Sequence, residues 1–429
     1  MGRKKLVQTL KVFLNDKEVG QLIKQANGAI EFCYSDKWVE EGYAISLSLP
    51  LAERVFRGEK ASFYFDNLLS DNKKILELIA KKFQAESTKQ FDILHSIGKD
   101  CVGALSFYDE GESFIGFKKM KVKALTDEQI AHRIKNLATD NPLGMDDGDF
   151  RISLAGAQEK MALLNWKNTW YEPQGSTPTS HILKKKIGQI LGAVDFSSSV
   201  ENEWACLQIA EQLGLKTCKA EILNFEDEQV LCLERFDRVW IDNLLRRVPQ
   251  EDLCQALGVS PQLKYERDGG PSIFQIMELL KRSNNASLDR KNLFKLAMVN
   301  DLLHNTDGHA KNVSIYVFRE GFALTPMYDM MSAHFLMKEH QERYDSLRSS
   351  WSVNGKFKFK EVTLEDWEKE ASMCDLTKEV FEEICHELNG AIKKIKLAHK
   401  SSHIDLILEG IEARFSILLG QPSNFTRST

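Results

Sequence analysis

The chain has 429 residues, too many for one hydrophobic core, so two or three structural units are expected. With 43% hydrophobic and 28% charged residues its composition is that of an ordinary globular protein, and a net charge of −5 gives no overall basic field of the kind that advertises nucleic-acid binding. Behind the start Met1-Gly2-Arg3-Lys4-Lys5-Leu6 there is no apolar segment, and no apolar run approaches the roughly 20 residues of a membrane span. A cytoplasmic protein with no signal peptide and no membrane contact is therefore expected. Cys33, Cys101, Cys206, Cys218, Cys232, Cys254, Cys374 and Cys385 are scattered and form no C-x-x-C pair. They read as reduced, mostly buried thiols, not as a metal site or a disulfide framework.

In chain order, Leu6 to Leu14 and Ala61 to Tyr64 read as strands, Lys73 to Phe83 as a helix and Thr126 to Leu137 as a further helix. The acidic, turn-rich stretch from Asp140 to Asp149 marks the main boundary. From Arg151 to Trp166 the pattern is strand, short glycine-containing turn, strand, and Ser180 to Lys184 is another strand. Val200 to Leu213 reads as a helix, with Ser198 and Glu201 in the spacing of a capping box and Gly214 as the stop. Val230 to Leu233 is a short apolar strand. Beyond about Val239 the pattern is mostly helical, over Ile273 to Lys281, Lys291 to His304, Leu364 to Met373, Lys378 to Ala398 and Ile404 to Leu419. One hairpin interrupts it, Val313 to Phe318 with Phe322 to Pro326. A β-rich part followed by an α-rich part suits a bilobal nucleotide-binding enzyme.

The most informative stretch is Asn305-Thr306-Asp307-Gly308-His309-Ala310-Lys311-Asn312, which follows a helix and precedes the hairpin. Seventeen residues after Asn312 comes Asp329, at the end of Leu324-Thr325-Pro326-Met327-Tyr328. Phosphoryl transfer from Mg-ATP needs one carboxylate to accept or orient the attacking hydroxyl, and an Asn and an Asp to hold the metal. Asp307, Asn312 and Asp329 reproduce the D-x-x-x-x-N spacing and the order of elements that this chemistry uses. A polar turn and a surface carboxylate would explain each motif alone, but not the ordered set.

The preceding region supplies the remaining parts. Leu154-Ala155-Gly156-Ala157-Gln158-Glu159-Lys160 has small residues that let backbone N–H groups approach phosphates, although one glycine alone would equally suit a hairpin turn. Lys184 ends an apolar strand and suits the phosphate-contacting lysine, while Lys185 and Lys186 beside it would also fit a solvated charge run. On the helix that follows, Glu203 shares a face with Val200, Leu207 and Ala210, whereas Glu201 shares one with Gln208 and Glu211. A carboxylate on an apolar face needs a cationic partner, so Glu203 is the candidate for orienting the lysine. Glu234-Arg235-Phe236-Asp237-Arg238 follows a strand where a hinge would meet adenine; an edge-strand charge cluster is the alternative.

Taken together these residues resemble the HipA serine/threonine kinases, the toxins of bacterial toxin–antitoxin pairs. The matching pieces are Ser153 to Lys160, His181-Ile182-Leu183-Lys184, Asn202-Glu203, Glu234 to Arg238, Pro249-Gln250-Glu251-Asp252, Asp268-Gly269-Gly270-Pro271, Thr306 to Asn312 and Tyr328-Asp329. Phe65-Asp66-Asn67-Leu68-Leu69 resembles the family's amino-terminal domain. The resemblance implies an α+β, protein-kinase-like bilobal fold, with a HipA-type N-terminal α/β subdomain over 1–148, a kinase N-lobe over 149–239 and a helical C-lobe over 240–429. It implies Asp307 as catalytic base, Asn312 and Asp329 as Mg2+ ligands, and residues Ala155, Gly156, Ala157, Gln158, Glu159 and Lys160 as the phosphate loop. It further implies Lys184 on the phosphates, Glu234, Arg235 and Phe236 at the adenine hinge, and His309, Ala310, Lys311 and Tyr328 around the nucleotide. Ser153 aligns with an autophosphorylated serine. The implied protein substrate is an aminoacyl-tRNA synthetase, chiefly the glutamyl enzyme. The implied partner is a helix-turn-helix antitoxin of the HipB kind, through which DNA is contacted indirectly. The competing readings are a small-molecule kinase, which would share D-x-x-x-x-N, and an inactive kinase-fold co-repressor module, which would lack a catalytic part.

Overall fold

The computed structural model describes residues 7–112, 120–139, 142–145, 151–190 and 194–420. Leu6 and most of the acidic boundary stretch (140, 141 and 146–149) lie outside the described residues. The chain divides into two compact units, one of residues 1–187, 221–262 and 315–320, the other of residues 188–220, 263–314 and 321–429.

In the first unit the N-terminal segment forms a five-stranded sheet in the order Val55–Arg57, Ile30–Tyr34, Lys17–Lys24, Gln8–Leu14, Leu105–Asp109, antiparallel at every pair. Leu10 faces Leu22, and both are buried in the core beneath the helices Glu59–Asp66, Lys73–Lys82 and Gln90–Ile97. Ala61 to Tyr64 is thus helical and not a strand. Ala61, Tyr64 and Phe65 are its buried residues, and that i, i+3, i+4 spacing is the signature of one helix face. A six-stranded sheet follows in the order Ala220–Phe225, Glu228–Glu234, His181–Lys185, Lys160–Trp166, Thr169–Pro173, Val122–Ala124. The helix Asp127–Lys135 adds Ile130, Ala131 and Ile134 to its core and begins with a capping box of Thr126 and Gln129. Only the second half of the expected strand–turn–strand is a strand. Residues 151–155 carry no regular structure, because Ile152 and Leu154 are drawn into the N-terminal core.

Buried charges tie this unit together. Asp100 accepts from Arg247 Nε at 2.7 Å, Arg238 at 2.9 Å and Thr179 Oγ1 at 2.8 Å. Arg235 pairs with Asp237 at 2.8 Å, and Asp237 also accepts from the Gly103 N–H at 2.8 Å. Burial alone would keep Asp100 protonated, but Arg247, Arg238 and Arg235 hold its carboxyl well below the usual carboxylate range. Burial, reinforced by neighbouring Arg235, pushes the Arg238 guanidinium down to about 10.

Glu251 is the opposite case. It is fully buried, and burial pushes its carboxyl up to about 8, hydrogen bonds from Ser46 and the Leu47 N–H offsetting this only in part. The folded protein then keeps a proton that the unfolded chain releases near 4.5. Stability contributed at low pH is lost as the pH rises from 4.5 toward 8, at about 1.4 kcal/mol per pH unit. Glu251→Gln keeps the shape and removes the titration. Denaturant unfolding at pH 5 and pH 7.5 is expected to show a fall smaller by about 3 kcal/mol in the variant than in the parent; equal falls in both proteins would contradict this.

The second unit is built on the helix Ala286–Leu302, which packs against Ile273–Leu280, Lys378–Ile392 and Ser402–Leu418. Its buried Asp301 accepts from Arg414 at 2.9 Å and from Trp367 Nε1 at 3.3 Å. The helix Ser199–Gln212 forms where the sequence predicts, but the Ser198 side chain makes no capping hydrogen bond. Gly214, with φ +86°, follows its end. Two hairpins also interrupt the stretch that reads as helical: Arg238–Ile241 with Leu244–Arg247 in the first unit, and Arg348–Val353 with Lys356–Lys358 in the second. Six of the eight cysteines are buried and all eight are free, as the sequence reading expects. Among the described residues no helix is long and apolar enough to cross a membrane.

Candidate active site

In the second unit the stretch from Asn305 to Asn312 leaves the long helix and folds back on itself through amide side chains. Asn300, buried near the helix end, accepts from Asn305 Nδ2 at 3.0 Å, and Asn305 Oδ1 accepts the Asp307 N–H at 3.1 Å. Asn312 Nδ2 donates to the Asp307 carbonyl at 2.8 Å, so the five-residue spacing closes into one loop across the short turn Ala310–Asn312. The Asp307 side chain remains 55% exposed at the mouth of this loop, while His309 beneath it is buried with Nε2 3.4 Å from Asp307 Oδ1. That contact becomes an ion pair only when the imidazole is protonated. Lys311 and Ala310 are buried.

Asp329 is brought to the same neighbourhood by Tyr328, whose hydroxyl lies 2.6 Å from Ser314 Oγ and donates to the Lys311 carbonyl at 3.2 Å. Asp329 itself has φ +56°, a left-handed conformation that Asp tolerates better than most residues. The segment is fixed further by the Met327 N–H on the Lys216 carbonyl at 2.8 Å. Asn202 fixes it too, accepting the Ser332 N–H at 2.8 Å and donating to the Ser332 carbonyl at 2.9 Å. Beside Asn202, Glu203 is buried, as its apolar face predicts. Glu201 is half-buried and accepts from Ser401 Oγ at 2.8 Å.

In the first unit the expected phosphate loop is docked on the N-terminal segment. The Gly156 carbonyl accepts from Ser70 Oγ at 2.9 Å and from the Asp71 N–H at 3.2 Å, and the Ala157 carbonyl accepts from Asn72 Nδ2 at 3.3 Å. Gly156 has φ +91°, and a Cβ there would sit 2.6 Å from Lys160 Nζ, so the turn takes glycine. Lys160 donates to the Ala155 carbonyl at 2.8 Å, closing the loop on itself. Gln158 Nε2 reaches the Lys185 carbonyl at 2.8 Å, and the Lys185 N–H reaches the Glu159 carbonyl at 3.3 Å. Lys184 pairs in register with Lys160, and both are buried. Ser153 is buried, with Oγ donating to the Leu68 carbonyl at 2.8 Å and its N–H to the Asp100 carbonyl at 2.9 Å. Of the hinge candidates, Glu234 ends its strand exposed, Arg235 turns its guanidinium into the buried Asp100–Asp237 network, and the Phe236 carbonyl accepts from Tyr316 at 3.1 Å.

Two family models account for most of the chain: the HipA N-terminal domain matches residues 10–108 and the HipA-like C-terminal domain matches residues 152–395. The chain belongs to the HipA family. Among its relatives, the candidate kinase Y4mE of Sinorhizobium fredii is 32% identical over 332 residues, 76% of this chain and 77% of that protein. The serine/threonine-protein kinase toxin HipA of Shewanella oneidensis is 28% identical over 338 residues, 76% of this chain and 75% of that one. The fold agrees with a HipA chain from the Shewanella oneidensis HipA, HipB and operator DNA complex at a TM-score of 0.78, with 23% identity, over 96% of this chain and 98% of that one.

Every candidate site residue falls inside the HipA-like C-terminal match, and the Ser70 and Asn72 contacts that seat the loop fall inside the N-terminal one. Sequence reasoning gave no role to Asn300, Asn305 or Asn202. For Asn300 the available signal was an amide after the apolar run Leu296-Ala297-Met298-Val299, since such a group must be hydrogen-bonded when buried; Asn202 and Asn305 stand among polar neighbours and carry no such signal. The donor set suits Mg2+. Asn312 and Asp329 offer hard oxygens, and since the Asn312 amide nitrogen is engaged by Asp307, its Oδ1 is the atom suited to a metal. Among the described residues no cluster of three or more His, Cys, Asp or Glu could hold a metal by itself.

Proposed function

We propose that the chain is a HipA-type toxin, a Mg-ATP-dependent serine/threonine protein kinase acting on a translation protein, an aminoacyl-tRNA synthetase such as the glutamyl enzyme. The observation that carries the reading is the closed loop in which Asn312 holds the Asp307 backbone while Tyr328 ties the Asp329 segment to Lys311. In this reading residues 1–148 are the HipA-type N-terminal domain, 149–239 the kinase N-lobe and 240–429 the C-lobe. Asn312 and Asp329 would hold Mg2+, which would supply positive charge to offset that of the phosphates. Asp307 accepts the proton of the attacking serine or threonine hydroxyl. That oxygen bonds to the γ-phosphorus, the bond to the β-phosphate oxygen breaks, and ADP leaves. Residues 155–160, with Lys184, bind phosphates, and His309, Ala310, Lys311 and Tyr328 line the nucleotide. Glu203 serves as the lysine-orienting carboxylate. Glu234, Arg235 and Phe236 meet adenine through the backbone, which suits an Arg235 side chain already engaged elsewhere. The implied partner is a HipB-like helix-turn-helix antitoxin that carries the complex to DNA, and the compartment is the cytoplasm.

The same reading makes Ser153 a self-modified residue. Its hydroxyl is buried against the Leu68 carbonyl, so the segment must leave that seat to be phosphorylated. A phosphate, with about −1.5 to −2 charges, cannot return there. The Ser70 and Asp71 contacts to Gly156 are then lost, and the loop no longer presents itself to ATP. One experiment covers both claims. Expression in bacteria is expected to arrest growth, co-expression of the antitoxin is expected to restore it, and mass spectrometry of the recovered chain is expected to find phosphate on Ser153. Asp307→Ala is expected to be harmless and unmodified. Normal growth with an unmodified Ser153 in the parent protein would refute the proposal.

A further inference from the structure

Asp307 does not stand alone in its loop. Tyr265 donates its hydroxyl to Asp307 Oδ1, the same oxygen that lies 3.4 Å from His309 Nε2. The tyrosine ring is held edge-on to the His309 imidazole, with centroids 4.9 Å apart and an interplanar angle of 83°. The Lys264 ammonium and the Arg267 guanidinium lie 5.5 and 4.9 Å from the ring centroid, in cation–π range.

The turn that carries Tyr265 is anchored on the strand Arg348–Val353. The Glu266 carboxylate accepts the Ser352 N–H at 2.6 Å and the Ser352 hydroxyl at 2.7 Å. At the far end of the turn a Cβ on Gly270 would fall 2.1 Å from the Leu263 carbonyl, so only glycine lets the chain close there. The same strand holds the catalytic loop, since Ser350 Oγ donates to the Thr306 carbonyl at 2.8 Å. One strand therefore anchors both the Thr306 carbonyl beside Asp307 and, through Glu266, the turn that carries Tyr265.

We propose that Tyr265 is a positioning residue for Asp307, fixing Oδ1 so that Oδ2 faces the incoming hydroxyl. This rests on the kinase reading above. An exposed carboxylate on a loop otherwise samples several rotamers, and a base must lie within hydrogen-bond reach of the proton it takes. A misplacement of about 1 Å can cost on the order of 100-fold in rate, so one lost orienting bond among several is expected to cost about ten-fold.

The test is Tyr265→Phe in the full chain, which keeps the ring against His309 and removes only the hydroxyl. Initial rates of ADP release from Mg-ATP are measured over a range of ATP concentrations, with Asp307→Asn alongside. The expected result is a fall in kcat of about ten-fold, a KM for ATP within about two-fold of the parent and an unchanged melting temperature. Tyr265→Ala, which also loses the ring, is expected to fall further. A kcat equal to or above the parent in Tyr265→Phe, with Asp307→Asn inactive, would overturn the positioning role and leave the kinase reading standing. An active Asp307→Asn would overturn both.

Discussion

Asp307→Asn is expected to lower phosphoryl transfer from ATP by about 1,000-fold while the protein remains folded, and Asp329→Asn to do the same through loss of the proposed metal ligand. The substitutions are chosen for what they leave intact. The bonds that close the Asp307 loop run through its backbone, the N–H to Asn305 and the carbonyl to Asn312, and Asn preserves both while keeping an Oδ1 that can accept from Tyr265. Asp329 has φ +56°, where Asn is accommodated as readily as Asp but Ala would be strained. Any loss is then chemical and not a failure to fold. The check is the rate of phosphate transfer beside the denaturation midpoint, and more than about one-tenth of parental activity in either variant would remove that residue from its assigned role.

The second large effect concerns stability. Asp100→Asn is expected to destabilise the first unit by about 3–5 kcal/mol at neutral pH. Asp100 lies beside three guanidiniums, from Arg247, Arg238 and Arg235, and Asp237 pairs with two of them, Arg235 and Arg238. An amide of the same shape leaves those cations buried with one fewer counter-charge, and removing one partner of a buried ionic group is far costlier than never having built it. The folded-state carboxyl titrates below the unfolded one, so its stabilisation is fully present above the unfolded value near 3.8 and is lost as the pH falls below it. Denaturant unfolding of parent and variant at pH 7 measures the difference. A change below about 1 kcal/mol would show that the network contributes little.

How much of this was legible in the sequence depended on range. The loop from Asp307 to Asn312 is closed by contacts five residues apart or fewer, so spacing alone pointed to it. The apolar face that selects Glu203 over Glu201 is likewise a property of one helix, and burial follows it. Short apolar runs were harder. Ala61 to Tyr64 fits a strand as well as a turn of helix, and only the packing of the helix, whose next residue Phe65 meets Phe32 and Phe107, settles it. Residues 151–155 read as a strand because Ile152 and Leu154 alternate with polar neighbours, yet they fill the N-terminal core without pairing. The Asp100 network was out of reach, because Arg238 and Arg247 lie 138 and 147 residues from it. So was Tyr265, 42 residues before Asp307 and without a spacing rule to connect them.

The most direct test of the kinase reading is radiolabelled ATP offered to the purified chain, first alone and then with a bacterial lysate. The account predicts label on the chain itself and on protein in the lysate, both absent with Asp307→Asn. Label confined to small molecules, or no transfer at all from a folded chain, would contradict it.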